Sequence, residues 1–454
     1  MITDTIAAIS TPLGEGGVST VRISGDDAFA VANKIFKSIN NKDLSAMAGY
    51  TAAFGAVYDG DERLDEAVAL VFKAPKSYTG ENTVELSVHG GIHLIRRVLR
   101  AAVTAGARVA EGGEFTKRAF LNGKMSLTEA ESVMNLISAK NDRALNIATR
   151  NKEGALSRRI NSLTEKLLYL VSQISVFSDF PEDDTLFIDE STFKTSLTEI
   201  LASLEGLIAD YDKGRLITEG INTVIVGSPN AGKSTLMNLL SKTNRSIVTS
   251  IAGTTRDVVE QTAKVGDYTL LLADTAGIHQ TDDEVEKIGI EQALQRLETA
   301  DLCLGVFDSS VPVTNDDKLL IDRIKNKATL LVLNKNDLTK GDGGYYEDLG
   351  IDFVKISALN GSGEDDLVKA IANLLKLNEL DPNAEVLQGE RQYNTVLRAK
   401  NAVNEALLAI NGGVTLDAVG ILIDDALSAL LELDGKKITT EVANEVFKNF
   451  CVGK

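Results

Sequence analysis

Apolar and polar residues alternate along three stretches of the first 120 residues, and this period of two predicts β-strands. The stretches are residues 18–24, 66–72 and 83–89. Residues 26–37, and those that follow the Gly90-Gly91 pair, instead place apolar side chains at helical spacing. Strands mixed with helices predict an α+β domain over residues 1–120.

A helical pattern dominates the next segment and returns at the end of the chain. Apolar residues three and four apart predict amphipathic helices over 127–137, 155–177, 191–211, 391–410, 416–433 and 439–450. An acidic stretch at 179–184 interrupts the first set, and Asp381-Pro382 marks the start of the last set. These patterns predict two helical segments, 121–215 and 379–454, separated by a further domain.

Short apolar runs of strand length recur between residues 216 and 378, and a polar or glycine-containing motif follows most of them. The runs are 221–226, 269–273, 302–307, 329–333 and 354–356. Buried strands of this kind predict a doubly wound α/β domain with its ligand at the carboxyl ends of the strands. The predicted fold class is therefore an α/β and α multidomain protein, with an α+β domain, a helical domain split in sequence and an inserted α/β domain.

The first of these clusters, GSPNAGKST at residues 227–235, has the pattern of a P-loop between a strand and a helix. Its glycines allow backbone N–H groups to surround phosphate oxygens, and the helix that follows adds its positive end. Lys233 can reach the β- and γ-phosphates, and the hydroxyl of Ser234 can bind Mg²⁺. An ordinary strand–helix turn is the simpler alternative, but it does not account for the motifs that follow.

Two later motifs supply groups for the γ-phosphate and its metal. Residues 251–257 read IAGTTRD, in which Thr254 or Thr255 can bring a hydroxyl to Mg²⁺. Residues 274–277 read DTAG, in which Asp274 can hold a metal-bound water and Gly277 can offer its N–H to the γ-phosphate.

The motif NKND at residues 334–337 predicts the site that recognises the base of the bound nucleotide. Asp337 can accept hydrogen bonds from N1–H and the exocyclic amine of guanine, which adenine does not offer at that edge. Ser357 and Ala358 follow the next strand and add backbone N–H contacts. The predicted nucleotide-binding residues are Asn230, Ala231, Gly232, Lys233, Ser234, Thr235, Thr249, Ser250, Ile251, Ala252, Gly253, Thr254, Thr255, Asp274, Thr275, Ala276, Gly277, Asn334, Lys335, Asp337, Ser357 and Ala358. The domain is predicted to bind GTP with Mg²⁺.

The residue after the DTAG motif is Ile278, where many GTPases carry a glutamine that orients the attacking water. An apolar side chain cannot do this, so hydrolysis is either very slow or assisted by another residue. Glu286 is the candidate. Considered locally, however, the acidic residues around it are better explained as caps that complement the dipole of a helix start.

Composition limits the choice of partners and compartment. The formal net charge is −18 and the chain has two cysteines, Cys303 and Cys451. The acidic charge argues against binding nucleic acid over a whole face, so any RNA contact requires a local basic patch or a partner. Two cysteines cannot form a disulfide framework, which favours a reducing cytosol. The N-terminus lacks the features of a signal or import sequence and no apolar run reaches membrane-span length, so we expect a cytoplasmic protein without membrane contact.

Charged residues in the predicted strands and turns of the first domain have a simple alternative explanation. Arg22, Glu85 and Lys124, each considered alone, are typical of solvated strand faces and turns. His89 precedes two glycines, but no ligand spacing supports a metal site there. Cys451 is either a reactive thiol or a small apolar anchor near the C-terminus, and general considerations favour the anchor.

Taken together, these motifs closely resemble the MnmE (TrmE) family of tRNA-modification GTPases. They are VRISG at 21–25, TGE at 79–81, HGG at 89–91, FLNGK at 120–124, the P-loop, GTTRD at 253–257, DTAG, NKND, and CVGK at 451–454. The terminal Cys-x-Gly-Lys behind a GTPase domain is the most family-specific, and the set spans residues 21–454 in family order.

The resemblance implies an N-terminal domain that binds a tetrahydrofolate derivative through Arg22, Glu85, Lys124 and Lys454. Basic groups suit the carboxylates of the glutamate tail, and a carboxylate suits the pterin edge. Cys451 matches a family cysteine near the modification chemistry and is a second catalytic candidate, with its role open.

The resemblance further implies that K⁺ supplies charge in the transition state. Asn230, Thr249, Ile251 and Thr254 match its ligands, and Ser234 and Thr255 remain those for Mg²⁺. Two GTPase domains would meet across the ion, and Glu286 matches the family glutamate that positions water. This match makes the catalytic interpretation of Glu286 the favoured one.

The implied function is that of a homodimeric, K⁺-dependent GTPase. With a flavoprotein of the MnmG (GidA) type in a heterotetramer, it would form 5-(carboxymethyl)aminomethyl-uridine at the wobble position of certain tRNAs, with a folate one-carbon donor. FAD would reside only on the partner, since no dinucleotide fingerprint appears in this chain. A ribosome-assembly GTPase switch and a GTP-regulated folate transferase without an RNA substrate are the alternatives.

Overall fold

A computed structural model of the chain describes residues 4–179, 190–242, 261–272, 297–338, 344–381, 383–448 and 450–453. The chain forms two compact units. The first comprises residues 1–134, 152–197 and 401–454, and the second comprises residues 135–151 and 198–400. The division falls inside four helices, α4, α5, α7 and α13, and in α5 it separates only the last residue.

The strands are β1 (Ile6–Ile9), β2 (Gly16–Ser24), β3 (Phe36–Ser38), β4 (Thr51–Asp59), β5 (Glu62–Phe72), β6 (Thr83–Gly90), β7 (Arg108–Val109), β8 (Ile221–Gly227), β9 (Gln261–Val265), β10 (Tyr268–Leu272), β11 (Leu302–Asp308), β12 (Thr329–Asn334) and β13 (Phe353–Lys355). The α-helices are α1 (Ala28–Ile35), α2 (Ile92–Thr104), α3 (Glu114–Leu121), α4 (Leu127–Ser138), α5 (Asp142–Lys152), α6 (Ala155–Asp179), α7 (Glu190–Ala209), α8 (Tyr211–Thr218), α9 (Lys233–Lys242), α10 (Asn315–Ile324), α11 (Gly344–Glu347), α12 (Glu364–Leu374), α13 (Glu390–Asn411), α14 (Leu416–Leu433) and α15 (Thr440–Lys448).

The first unit is built on a seven-stranded sheet with the order β3-β4-β5-β6-β2-β1-β7. Its neighbouring strands are antiparallel, except that β1 and β7 run parallel. Helices α1 and α2 pack on one face, where Val21, Ile23, Val84 and Leu86 belong to the same buried core as Ile95. Because side chains alternate along a strand, Arg22 and Glu85 project from the opposite face of this sheet.

The helical part of the first unit joins distant segments of the chain. Helix α6 packs along α14, and Gly420 lies so close to Ile174 that an added Cβ would be 3.2 Å from its Cγ2. Phe447 and Phe450, in and after α15, share a buried cluster with Leu127 of α4. The C-terminal residues are therefore held within the unit that contains the N-terminal sheet.

The second unit is built on a six-stranded sheet with the order β13-β12-β11-β8-β10-β9. All neighbours are parallel except β10 and β9. Separate cores cover its two faces. Residues of α9 and α12 join one of them, and residues of α10 and α11 join the other. This confirms the predicted doubly wound sheet, with the loop after β8 at the point where the strand order reverses.

The predicted elements of both units agree with the structure apart from their ends, but the pattern missed several strands. The predicted helix over 26–37 ends at Ile35, because Phe36 is already extended and pairs with Val57 of β4. Strands β1, β3, β4, β7 and β9 had not been predicted from the pattern. Among the residues that the structure describes, no helix is both long and apolar enough to cross a bilayer.

Candidate functional site

The P-loop connects the carboxyl end of β8 to the start of α9 in the second unit. Lys233 turns its ammonium back into the loop and donates hydrogen bonds to the carbonyls of Gly227 at 2.8 Å and Ser228 at 2.9 Å. Gly232 has φ of +95°, and a Cβ there would lie 2.1 Å from Nδ2 of Asn334. The loop therefore requires glycine at this position, and its lysine is held beside the backbone that would surround phosphate.

Asn334 connects the P-loop to the predicted base motifs. Its Nδ2 donates to the carbonyl of Ala231 at 2.9 Å, and its Oδ1 accepts from the N–H of Ala358 at 2.9 Å. Asn334 is buried, with 2% of its surface exposed, so both bonds are shielded from water. Three segments that are distant in sequence are thereby fixed at one edge of the sheet.

Several of the other described residues of the predicted nucleotide site are exposed. Asn230, with φ of +58°, is exposed, as are Ser234, Thr235 and Asp337. The hydroxyl of Ser357 is buried and has no hydrogen-bond partner among the described residues. An unsatisfied buried hydroxyl beside the base motif, together with exposed hydroxyl and carboxylate groups, fits a polar ligand such as a nucleotide with Mg²⁺.

Several predicted residues lie outside the described residues. They are Thr249, Ser250, Ile251, Ala252, Gly253, Thr254, Thr255, Asp274, Thr275, Ala276, Gly277, Ile278, Glu286 and Lys454.

A second group of predicted residues meets on the open face of the first unit's sheet. Arg22 on β2 is directly opposite Glu85 on β6, and its Nε donates to Oε1 of Glu85 at 2.8 Å. Another guanidinium nitrogen of Arg22 donates to the carbonyl of Gly453 at 3.2 Å. The side chains are only 14% and 22% exposed, so the interpretation of two fully solvated charges is wrong.

The C-terminal tail reaches Arg22 because it is docked along the sheet. Val452 forms an antiparallel bridge with Gly112, and the N–H of Gly113 donates to the carbonyl of Cys451 at 3.2 Å. Gly453 has φ of +98°, and a Cβ there would lie 2.3 Å from the carbonyl oxygen of Ile9. Cys451 itself is exposed, so its thiol is accessible rather than an apolar anchor.

Lys124 lies in the turn after α3 and is exposed. Its ammonium donates to the carbonyl of Pro75 at 3.0 Å, and its methylenes pack near Gly80. The same 75–82 loop carries Tyr78, whose ring centroid lies 5.5 Å from the guanidinium carbon of Arg22. The loop thus links Lys124 to Arg22, although the structure gives no direct contact between them.

The sequence did not reveal the buried charge cluster that holds this loop. The side chain of Arg118 is 1% exposed and donates to Asp4 at 2.7 Å, Glu114 at 3.0 Å and Glu81 at 3.2 Å. Burial raises the pKa values of Asp4 and Glu114, but hydrogen bonds from arginines outweigh it and leave both pKa values below their usual range. Arg108 contributes to both carboxylates.

This cluster fixes Glu81 in the TGE motif. Glu81 accepts from Ser24 at 2.8 Å, and Ser24 also contacts Thr79 at 2.8 Å. On the other side of the loop, Tyr78 contacts Thr116 of α3 at 2.8 Å. No local spacing predicts these contacts, because the partners belong to separate elements. In the sequence, only the polar residues of the TGE motif indicated that this loop makes specific contacts.

Comparisons with known proteins match almost the whole chain to one family. A family model described as the N-terminus of GTP-binding protein TrmE matches residues 5–124, and one described as the MnmE helical domain matches residues 127–451. The chain is 39% identical over 454 residues to tRNA modification GTPase MnmE of Streptococcus thermophilus, covering 99% of this chain and 98% of that protein. It is 37% identical over 459 residues to tRNA modification GTPase MnmE of Clostridioides difficile, covering 100% of both.

Among solved structures, the chain is similar to Era of Aquifex aeolicus. The two are 29% identical, the match covers 40% of this chain and 66% of that chain, and the TM-score is 0.27.

Proposed function

Because this chain belongs to the MnmE family of tRNA modification GTPases, we propose that it hydrolyses GTP as part of tRNA modification. The observation that carries this proposal is the bridge made by Asn334, which joins the P-loop to the segment containing Ala358. A site so assembled brings phosphate-binding and base-binding backbone to one edge of a sheet, as a nucleotide requires.

The chain's own residues divide the work on the nucleotide. Lys233 would exchange its bonds to loop carbonyls for the phosphate oxygens, and Asp337 would accept from the guanine edge. Ser234 would hold Mg²⁺, which when bound offsets negative charge on the phosphates. Selectivity for guanine follows because adenine would leave the carboxylate of Asp337 without donors.

For the hydrolytic step we propose a K⁺-dependent reaction with Glu286 as the residue that orients water. Asn230, Thr249, Ile251 and Thr254 would hold the ion, and Thr255 would join Ser234 at Mg²⁺. Support comes from the family motifs and from the exposure of Asn230 on the P-loop. Ile278 cannot orient water, which leaves this role to a residue elsewhere.

GTP turnover measured in K⁺ and in Na⁺ at equal ionic strength tests the ion, and Glu286→Ala tests the water. We expect a large loss in each case, with GDP affinity retained in the variant. Equal rates in both salts would refute the ion assignment, and full turnover by Glu286→Ala would refute the assignment of the water.

In the first unit we propose that Arg22, Glu85, Lys124 and Lys454 bind a tetrahydrofolate derivative. Cys451 would lie near the place where the tRNA modification reaction occurs. The half-buried Arg22–Glu85 pair supports this proposal, since it offers both a cation and a carboxylate on one open sheet face. The docked tail supports it as well, because Gly453 contacts Arg22 and precedes Lys454 in sequence.

We further propose that two copies of the chain form a homodimer and assemble with an MnmG-type flavoprotein that carries FAD. Exposed apolar residues on the same sheet face, Phe54 and Val68, are paired across β4 and β5 and support a protein contact there. The product would be 5-(carboxymethyl)aminomethyl-uridine at the wobble position, formed in the cytoplasm.

Nucleoside mass spectrometry of total tRNA from cells lacking this protein tests the function. We expect loss of wobble uridines modified at C5, with restoration by the wild type but not by Lys233→Ala or Cys451→Ser. Restoration by Lys233→Ala would separate modification from GTP binding. An unchanged nucleoside profile would refute the proposal and favour a ribosome-assembly GTPase, for which ribosome profiles are the next measurement.

A further inference from the structure

Two carboxylates follow β11 in the second unit, and each contacts one of the nucleotide motifs. Asp308 is the last residue of β11, and Asp317 lies in the first turn of α10. Neither belongs to a recognised GTPase motif in the sequence. Their contacts nevertheless reach Lys335 in the base motif and Ser228 in the P-loop.

Asp308 holds the start of the base motif. One carboxylate oxygen accepts from Nζ of Lys335 at 2.6 Å, and the other accepts from the N–H of Ser310 at 2.9 Å and from its hydroxyl. The adjacent Ser309 donates to the carbonyl of Asn334 from its N–H at 2.8 Å and from its hydroxyl at 2.7 Å. The turn after β11 therefore binds the backbone of Asn334 and the side chain of Lys335.

The position of Asp337 depends on these contacts. Lys335 has φ of +64°, a backbone conformation that residues other than glycine rarely adopt. Its carbonyl accepts from the N–H of Leu338 at 3.0 Å, which closes a turn with Asp337 inside it. Lys335 is the first residue of the turn that contains Asp337. Because Asp308 fixes the ammonium of Lys335, it restrains the start of this turn.

Asp317 holds the P-loop from the other direction. Its Oδ2 accepts from the N–H of Thr314 at 2.9 Å and from its hydroxyl at 2.7 Å, as expected for a helix cap. Its Oδ1 accepts from the hydroxyl of Ser228, a contact that capping does not require. Asp317 is buried, and the carbonyl of Ser228 accepts from the ammonium of Lys233.

We propose that Asp308 and Asp317 are positioning residues of the nucleotide site, with Asp308 governing guanine selection and Asp317 governing the phosphate loop. The inference rests on the proposed GTP-binding function. It extends that function to two residues outside the nucleotide motifs, both on the connection between β11 and α10.

Direct binding of GDP and inosine diphosphate to the full chain separates the two roles. Inosine diphosphate lacks the exocyclic amine, so it offers Asp337 one hydrogen bond instead of two. Asp308→Asn keeps an oxygen for Ser310 but loses the ion pair with Lys335. We expect roughly tenfold weaker GDP binding, with a smaller loss for inosine diphosphate, so that the preference for guanine narrows.

Ser228→Ala tests the second role while leaving the cap of α10 intact. We expect both nucleotides to bind more weakly by the same factor, up to roughly tenfold, with recovery in Ser228→Thr. Asp316→Asn is the matched control, because it removes a carboxylate from the same helical turn at an exposed position. Its affinities should equal those of the wild type.

The outcomes distinguish the inference from the function on which it rests. A wild-type chain that binds neither nucleotide would overturn the GTP-binding proposal itself. Normal wild-type binding, with Asp308→Asn and Ser228→Ala both within twofold of it, would overturn only the positioning roles. Equal losses for both nucleotides in Asp308→Asn, with a lowered melting temperature of the nucleotide-free protein, would reduce Asp308 to a structural residue.

Discussion

In the second unit the predicted nucleotide-binding groups come from short contiguous motifs. In the first unit the Arg22–Glu85 pair contacts a tail from the opposite end of the chain. The P-loop occupies nine consecutive residues, 227–235. Arg22, by contrast, meets Glu85 63 residues away and Gly453 431 residues away. The two regions use different sheets to achieve these arrangements.

The difference follows from strand direction. Parallel strands end at the same edge of a sheet, so each loop of the second unit delivers its motif to one place without further help. Antiparallel neighbours instead align residues in the middle of strands, as Arg22 and Glu85 are aligned. Such a site depends on strand register, a docked tail and buried charges. Substitutions in these features should affect the first unit and leave the second unit unchanged.

The largest expected effect comes from the buried charge cluster of the first unit. Arg118→Met removes the shared partner of Asp4, Glu81 and Glu114 and leaves buried carboxylates less well paired. We expect about 3 kcal/mol of local destabilisation, because breaking a buried ion pair leaves the remaining charge buried and uncompensated. Hydrogen–deuterium exchange should accelerate in peptides from β1 and α3 but not in those from β11 and β12.

Arg100→Met is the control for this change. Its guanidinium pairs with Asp59 but is 65% exposed, so its loss should cost less than about 1 kcal/mol. Equal exchange rates in Arg118→Met and the wild type would mean that the cluster does not stabilise the first unit.

A smaller effect is expected from the tail. Gly453→Ala places a Cβ against the carbonyl of Ile9 and strains a backbone with φ of +98°. We expect the docked tail to lose about 1–3 kcal/mol, which corresponds to roughly 5- to 150-fold faster exchange of the Gly113 amide. Gly17→Ala, where nothing lies within 4 Å of the added Cβ, should leave this amide unchanged. A protected Gly113 amide in Gly453→Ala would show that the tail tolerates the substitution.

The smallest effect is the response of the first unit to acid. The pKa values of Asp4 and Glu114 are lowered in the folded protein, so their stabilisation is fully present above the unfolded values. It is lost as the pH falls through the lower folded values. Exchange protection of β1 and α3 should therefore be constant from pH 7 to about 5, after correction for intrinsic rates, and decline below about pH 4. Arg118→Met should flatten that decline only in part, because Arg108 also lowers both pKa values; an unaltered profile would show that Arg118 does not contribute to it.

Much of the nucleotide site was predictable because its groups depend on local sequence. The run 221–226, the glycines after it and the NKND motif each predict a strand end with a defined chemistry, and the doubly wound sheet confirms their arrangement. The family resemblance based on these motifs is also confirmed. The ligand-binding and catalytic roles of all the named site residues remain predictions, and Glu286, Lys454 and residues 249–255 also lie outside the described residues.

The amino-acid sequence by itself determined the alternation that placed Arg22 and Glu85 on strands, the glycines of the P-loop and the NKND motif that predicts a preference for guanine. Only the tertiary structure decided that Arg22 pairs with Glu85, that the tail docks beside β1, that Arg118 is buried, and that Asp308 and Asp317 contact the nucleotide motifs. The physical reason is range. Periodicity and turn chemistry act between near neighbours in sequence, whereas ion pairs and tail docking depend on register and packing between segments that folding brings together.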